Sequence, residues 1–83
     1  MASEAKIRER IAAIIGRPNS VRFEEIKWVM DQLGFTEKVT RHTRMFRLKG
    51  HRLMINQHNN GKNTVPAYSV DEFMKLMTEL ELY

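Results

Sequence analysis

Apolar positions fall along the chain in two rhythms, first helical and then alternating. Ile7, Ile11, Ile14 and Ile15 recur at helical spacing behind Ser3, a residue type suited to an N-cap, and predict a first helix running to about Ile15. Gly16-Arg17-Pro18-Asn19-Ser20 ends it, because glycine caps a helix and proline cannot continue its hydrogen-bond ladder. Phe23, Ile26, Val29, Met30 and Leu33 then form one stripe of a second helix, predicted from Arg22 to Leu33 with Ser20 as its cap. Gly34 stands where a left-handed C-cap belongs.

After Phe35 the period changes to two. Val39 to Arg41 reads as a short first strand. Arg44 to Leu48 and His51 to Asn56 flank Lys49-Gly50, which reads as a two-residue hairpin turn. That turn sets Leu48 against His51, Phe46 against Leu53 and Arg44 against Ile55. Alternation then gives Phe46, Leu48, Leu53 and Ile55 to one face and Met45, Arg47, Arg52, Met54 and Asn56 to the other. Asn59-Asn60-Gly61-Lys62 is a loop, reinforced by Pro66. Ser69 and Glu72 have capping-box spacing, and Val70, Phe73, Met74, Met77 and Leu80 stripe a last helix. The expected architecture is α+β in the order α-α-β-β-β-α: one domain over residues 1–83, its helices on one side of a three-stranded antiparallel sheet.

Composition narrows the chemistry. The 83 residues are 42% hydrophobic and 29% charged, an ordinary globular mixture. The lack of cysteine excludes a disulfide framework and a zinc–thiolate site. With no paired-histidine spacing and no glycine-rich phosphate loop, neither a metal nor a cofactor is expected. Met1 to Lys6 lacks the apolar stretch of a signal peptide, and no run approaches membrane-spanning length, so the expectation is a cytoplasmic protein without a membrane partner.

The net charge of +4 matters less than its distribution. Residues 1–36 carry six Lys or Arg against five acids, and residues 71–83 carry Lys75 against four acids. Residues 37–70 carry Lys38, Arg41, Arg44, Arg47, Lys49, Arg52 and Lys62 against Glu37 alone. A basic block of this kind suits a polyanion, since each phosphate it neutralises releases bound counterions. From it, Arg41, Arg44, Arg47, Lys49, Arg52 and Lys62 are the candidate RNA-binding residues.

Three histidines, His42, His51 and His58, lie in the same block. Cleaving RNA takes a base for the 2′-hydroxyl, an acid for the leaving oxygen and cations for the phosphate, and histidine moves protons best near neutral pH. His42 is the catalytic candidate because Arg41 and Arg44 flank it. Each histidine also has a plainer reading as a surface side chain. His51 is then a strand-end residue and His58 part of a polar loop.

The order of these pieces resembles a known family. A helix ending in Leu33-Gly34-Phe35 is followed by Arg41-His42-Thr43-Arg44-Met45-Phe46, then Lys49-Gly50-His51-Arg52-Leu53-Met54-Ile55. A loop holding His58 and a final helix complete the set. From Phe23 to Leu82 this resembles the HicA toxins, mRNA interferases of bacterial type II toxin–antitoxin pairs. Residues 20–83 correspond to the core, while the helix in residues 1–16 and Arg17-Pro18-Asn19-Ser20 look like its longer subgroup. The resemblance implies a double-stranded-RNA-binding-like fold and ribosome-independent, metal-independent endonucleolytic cleavage of mRNA. It also implies silencing by a HicB-like antitoxin protein. The family's active histidine lies in a Gly-Ser-His element three residues before a strand phenylalanine. In this sequence Thr43 holds that position relative to Phe46, and His42 lies four before it. A non-catalytic RNA- or DNA-binding module on the same fold is therefore the alternative to an endoribonuclease. A third reading is a protein-interaction domain in which the first two helices present apolar surface. Whether the first helix packs on the domain or reaches toward a partner is open at this level.

Overall fold

A computed structural model of the protein describes residues 2–41, 43–56 and 64–83. Its elements are α1 (Glu4–Ile15), α2 (Phe23–Gln32), β1 (Thr36–Val39), β2 (Thr43–Leu48), β3 (His51–Asn56) and α3 (Ala67–Glu79). The strands form an antiparallel sheet in the order β1-β2-β3. The α+β order read from the sequence is the observed one.

Ser3 caps α1, its hydroxyl accepting from the Lys6 N–H at 3.3 Å. α2 begins differently from the sequence expectation. Arg22, not Ser20, holds the cap position, and its backbone N–H donates to the Glu25 carboxylate at 2.8 Å. Arg17 bridges the same carboxylate at 2.6 Å and donates to the Ser20 carbonyl, so an arginine organises the turn. α2 ends in a Schellman motif: Phe35 N–H donates to the Met30 carbonyl and Gly34 N–H to the Asp31 carbonyl. Gly34 adopts φ +88°, which a residue without Cβ accepts at little cost.

This stop delivers the chain directly into β1 at Thr36, three residues before the predicted start at Val39. β1 was hard to read because three of its four residues are exposed, so no apolar alternation marks it. The hairpin register matches the predicted one: Leu48 pairs with His51, Phe46 with Leu53 and Arg44 with Ile55. Lys49 and Gly50 both have positive φ, +46° and +84°, as a type I′ turn demands.

The core lies between the sheet and the helices. Phe46, Leu53 and Ile55 from the strands meet Ile26, Val29 and Met30 of α2 and Val70, Phe73, Leu76 and Met77 of α3. Ile7, Ile11 and Ile14 are buried too, so α1 packs on the domain and its apolar stripe is used in the core. Phe23 of α2 stacks on Phe46 with ring centroids 6.1 Å apart. α3 starts at Ala67, two residues before the expected cap. Ser69 is consequently inside the helix, fully buried, and does not form a capping box. Leu76, absent from the predicted stripe, is buried, while Met74 and Leu80 are half-buried. Among the described residues no helix is long and apolar enough to cross a membrane.

α3 closes with a second Schellman motif, Leu82 N–H to the Met77 carbonyl and Glu81 N–H to the Thr78 carbonyl. Here the left-handed position, φ +60°, belongs to a glutamate, whose Cβ crowds the backbone. Glu81→Gly is expected to raise stability by about 0.5–1 kcal/mol, read as a higher midpoint in urea denaturation with an unchanged slope. A lower midpoint would show that the glutamate side chain, rather than its backbone conformation, matters there.

Candidate nucleic-acid interface

Strand alternation and a two-residue turn fix which side chains leave the sheet on the side away from the helices. The register places Thr36 beside Arg47 beside Arg52 in one row. Lys38, Met45 and Met54 form the next, and Thr43 and Asn56 the third. Each strand thus contributes one cation to the outer face: Lys38, Arg47 and Arg52, all exposed. Met54 opens almost half its surface there, with Met45 half-buried opposite it.

Among the described strand residues, none brings a carboxylate to this face. Glu37, the one acid of residues 37–70, stands on β1 between Thr36 and Lys38 and therefore points to the helix side. There it binds Arg44 at 2.6 Å and Lys27 at 3.2 Å, and Lys27 also reaches Asp31 at 2.9 Å. The Arg44 guanidinium lies 4.9 Å from the Phe23 ring centroid, a cation–π arrangement. Its Nε is buried without a hydrogen-bond partner among the described residues. Arg44 therefore does not join the other cations expected to contact RNA. Its place opposite Ile55 turns it under the sheet, where Glu37 and Phe23 hold it.

The remaining candidates fall into two groups. Arg47, Lys49 and Arg52 gather at the hairpin end of the sheet. Arg41 is exposed in the connection from β1 to β2, at the opposite end of the sheet. Hydrogen bonds between Thr40 and Thr43 close that connection, among them Thr40 N–H to the Thr43 carbonyl at 2.9 Å. His42, the catalytic candidate, lies outside the described residues, as do His58, Lys62 and the loop predicted at residues 59–62. His51 is on the helix side, its Nδ1 3.4 Å from Glu79 Oε1, consistent with a strand-end role.

Lys38 is an exposed cation of the outer face that is not among the RNA-binding candidates named from the sequence. A strand that starts at Thr36 instead of Val39 places it beside Met45. Ion pairing separates the two sides of the protein. Arg8, Arg17, Lys27 and Arg44 all contact acids, and Arg10 lies 5.2 Å from the Trp28 ring centroid. Lys38, Arg47, Arg52, Lys49 and Arg41 have no carboxylate within ion-pair distance among the described residues. Lys6, Arg22 and Lys75 also lack one, so it is the clustering on an acid-free face that marks the surface.

Compared with protein-family models, curated proteins and solved structures, the chain matches none. Chemically, the outer face offers positive charge from three strands around an exposed thioether patch. That suits phosphates together with an apolar or stacking partner. Among the described residues no group of three potential metal ligands comes together.

Hydrogen bonding from Arg44 holds the Glu37 carboxyl below its ordinary value of 4.5, burial opposes this, and Lys27 adds to it. A carboxyl lowered by folding contributes stability that is present above pH 4.5 and is lost as pH falls through the lowered value. Glu25 is lowered in the same direction, chiefly by its hydrogen bond from Arg17. Glu37→Gln is therefore expected to cost about 1–2 kcal/mol at pH 7, since charged hydrogen bonds are lost and Arg44 stays half-buried. The penalty should shrink progressively below pH 4.5, which thermal unfolding across pH 7 to 3 would show. A pH-independent penalty would mean that the ion pair is not its source.

Proposed function

We propose that this protein contacts RNA through the outer face of its sheet, as a HicA-like toxin on a double-stranded-RNA-binding-like fold. One observation carries the reading: a cation from each strand on a face to which no described strand residue brings a carboxylate. Unpaired cations so arranged repel one another, and a polyanion relieves that repulsion while releasing its own counterions. The finer part of the proposal is ribosome-independent cleavage of mRNA by His42, with restraint by a HicB-like antitoxin protein. Its support is the order of elements, the hairpin sequence and the placing of His42 beside Arg41 in the basic block.

A second reading, RNA or DNA binding without cleavage, has its own observation. Arg44 was one of two guanidinium groups expected to steady a phosphate beside His42, and it is engaged by Glu37 beneath the sheet. That leaves Arg41 as the one flanking arginine that is exposed.

Binding to a single-stranded RNA should weaken linearly on a logarithmic salt scale, with a slope of about 0.7 per phosphate contact. Replacing Lys38, Arg47 and Arg52 together by Gln should reduce that slope by about 2, whereas Lys6→Gln on α1 should leave it unchanged. An unaltered slope in the triple variant would remove the face from the interaction. For the finer proposal, expression of the wild-type chain should arrest growth and shorten mRNA, and His42→Ala should do neither. Continued RNA binding without cleavage by the wild-type chain would select the second reading.

A further inference from the structure

The tip of the β2–β3 hairpin gathers three features: paired like charges, a lysine in the left-handed region and no acid partner among the described residues. Arg47 and Arg52 are directly opposite one another, and like charges in that position repel. Lys49 sits at φ +46°, a left-handed conformation that L-residues with a Cβ resist and that asparagine or glycine fills more readily. No carboxylate among the described residues is within ion-pair distance of any of the three. The same side chains share a concavity, lined among others by Thr36, Arg47, Lys49, Gly50 and Arg52. Solubility needs none of this. An Asn-Gly turn with lysines spread over the surface would serve it without strain.

We propose that this notch is a phosphate-binding site. Two guanidinium groups present planar forks of N–H donors that match phosphate oxygens, and an ammonium adds a compact charge beside them. A phosphate between the arginines converts their repulsion into two attractions, so the bound state gains from the opposition that burdens the free one. The strained lysine fits the same logic, because local strain collects where a side chain is held for a ligand. The phosphate is either a linkage of the RNA backbone or a small free anion. Only the first source rests on the RNA-binding reading; the notch itself does not.

The test is an amide NMR titration of the full chain with inorganic pyrophosphate at fixed ionic strength, followed by addition of a short single-stranded RNA. Saturable shifts are expected at residues 47–52, with half-saturation near or below about 1 mM, beyond those produced by chloride. RNA displaces the pyrophosphate if the site takes a backbone phosphate and leaves it bound if the site takes a small anion. Arg47→Gln combined with Arg52→Gln should weaken pyrophosphate at least tenfold. Lys49→Asn should weaken it several-fold while raising the Tm by about 4 °C, as relief of backbone strain predicts. A lysine with only a turn-forming role would change the Tm and leave pyrophosphate binding untouched. Shifts no larger than those from chloride, or equal affinity in the double arginine variant, would overturn the site. Failure of the notch and failure of the RNA reading are separable. RNA binding by the wild-type chain with pyrophosphate silent removes the notch alone. Pyrophosphate binding with no RNA binding removes the RNA reading alone.

Discussion

Register in the β2–β3 hairpin is the constraint on which the rest of the structure depends. A two-residue turn admits one pairing of the strands, and each strand then sends successive side chains to opposite faces. Phe46 faces the helices at the centre of the core, stacked on Phe23, and this obliges Met45 and Arg47 to face away. A slip of one residue would bury the arginines and expose Phe46, Leu53 and Ile55, so the hydrophobic core and the charged surface enforce the same alignment. The core and the cationic face are the two sides of one pairing.

Glu37 completes the separation of charge. Placed one residue earlier or later on β1, it would stand on the outer face between Arg47 and Met45 and partly neutralise it. Turned inward, it satisfies Arg44 and Lys27 and leaves the outer face to cations alone. On the helix side Arg8, Arg17, Lys27 and Arg44 are tied to acids, and Arg10 and Arg44 lie against aromatic rings. These pairs are partly exposed and each contributes modestly, so their chief consequence is the sign of the surface they leave behind.

Such a surface has a thermodynamic implication for any partner. The free protein holds like charges side by side and an exposed methionine on one face, both of which a ligand can relieve. Local sacrifice of stability of this sort is common where a protein is shaped for binding rather than for maximal folding stability. The cost must be met by the core, and α1 contributes to it directly: Ile7, Ile11 and Ile14 extend a hydrophobic interior that a chain of this size needs.

The sequence by itself determined the element order, the hairpin register and the faces of Phe46, Leu53, Arg47 and Arg52, because local turn chemistry and a period of two act over only a few residues. It marked Gly34 correctly for the same reason: a left-handed helix stop is a property of one backbone position. What tertiary structure decided was longer in range. β1 has no apolar alternation and exists because the stop at Gly34-Phe35 aims the chain at β2, so sequence patterning does not place Lys38 on the sheet. Ser69 resembles a cap in sequence yet lies buried within α3, since the helix begins two residues earlier. Arg44 reads as one more cation of a basic block. Only the pairing of β1 and the packing of α2 bring Glu37, Phe23 and Lys27 around it and keep it off the outer face. Patterning reports which way a side chain points; which partners await it there depends on residues distant in the chain.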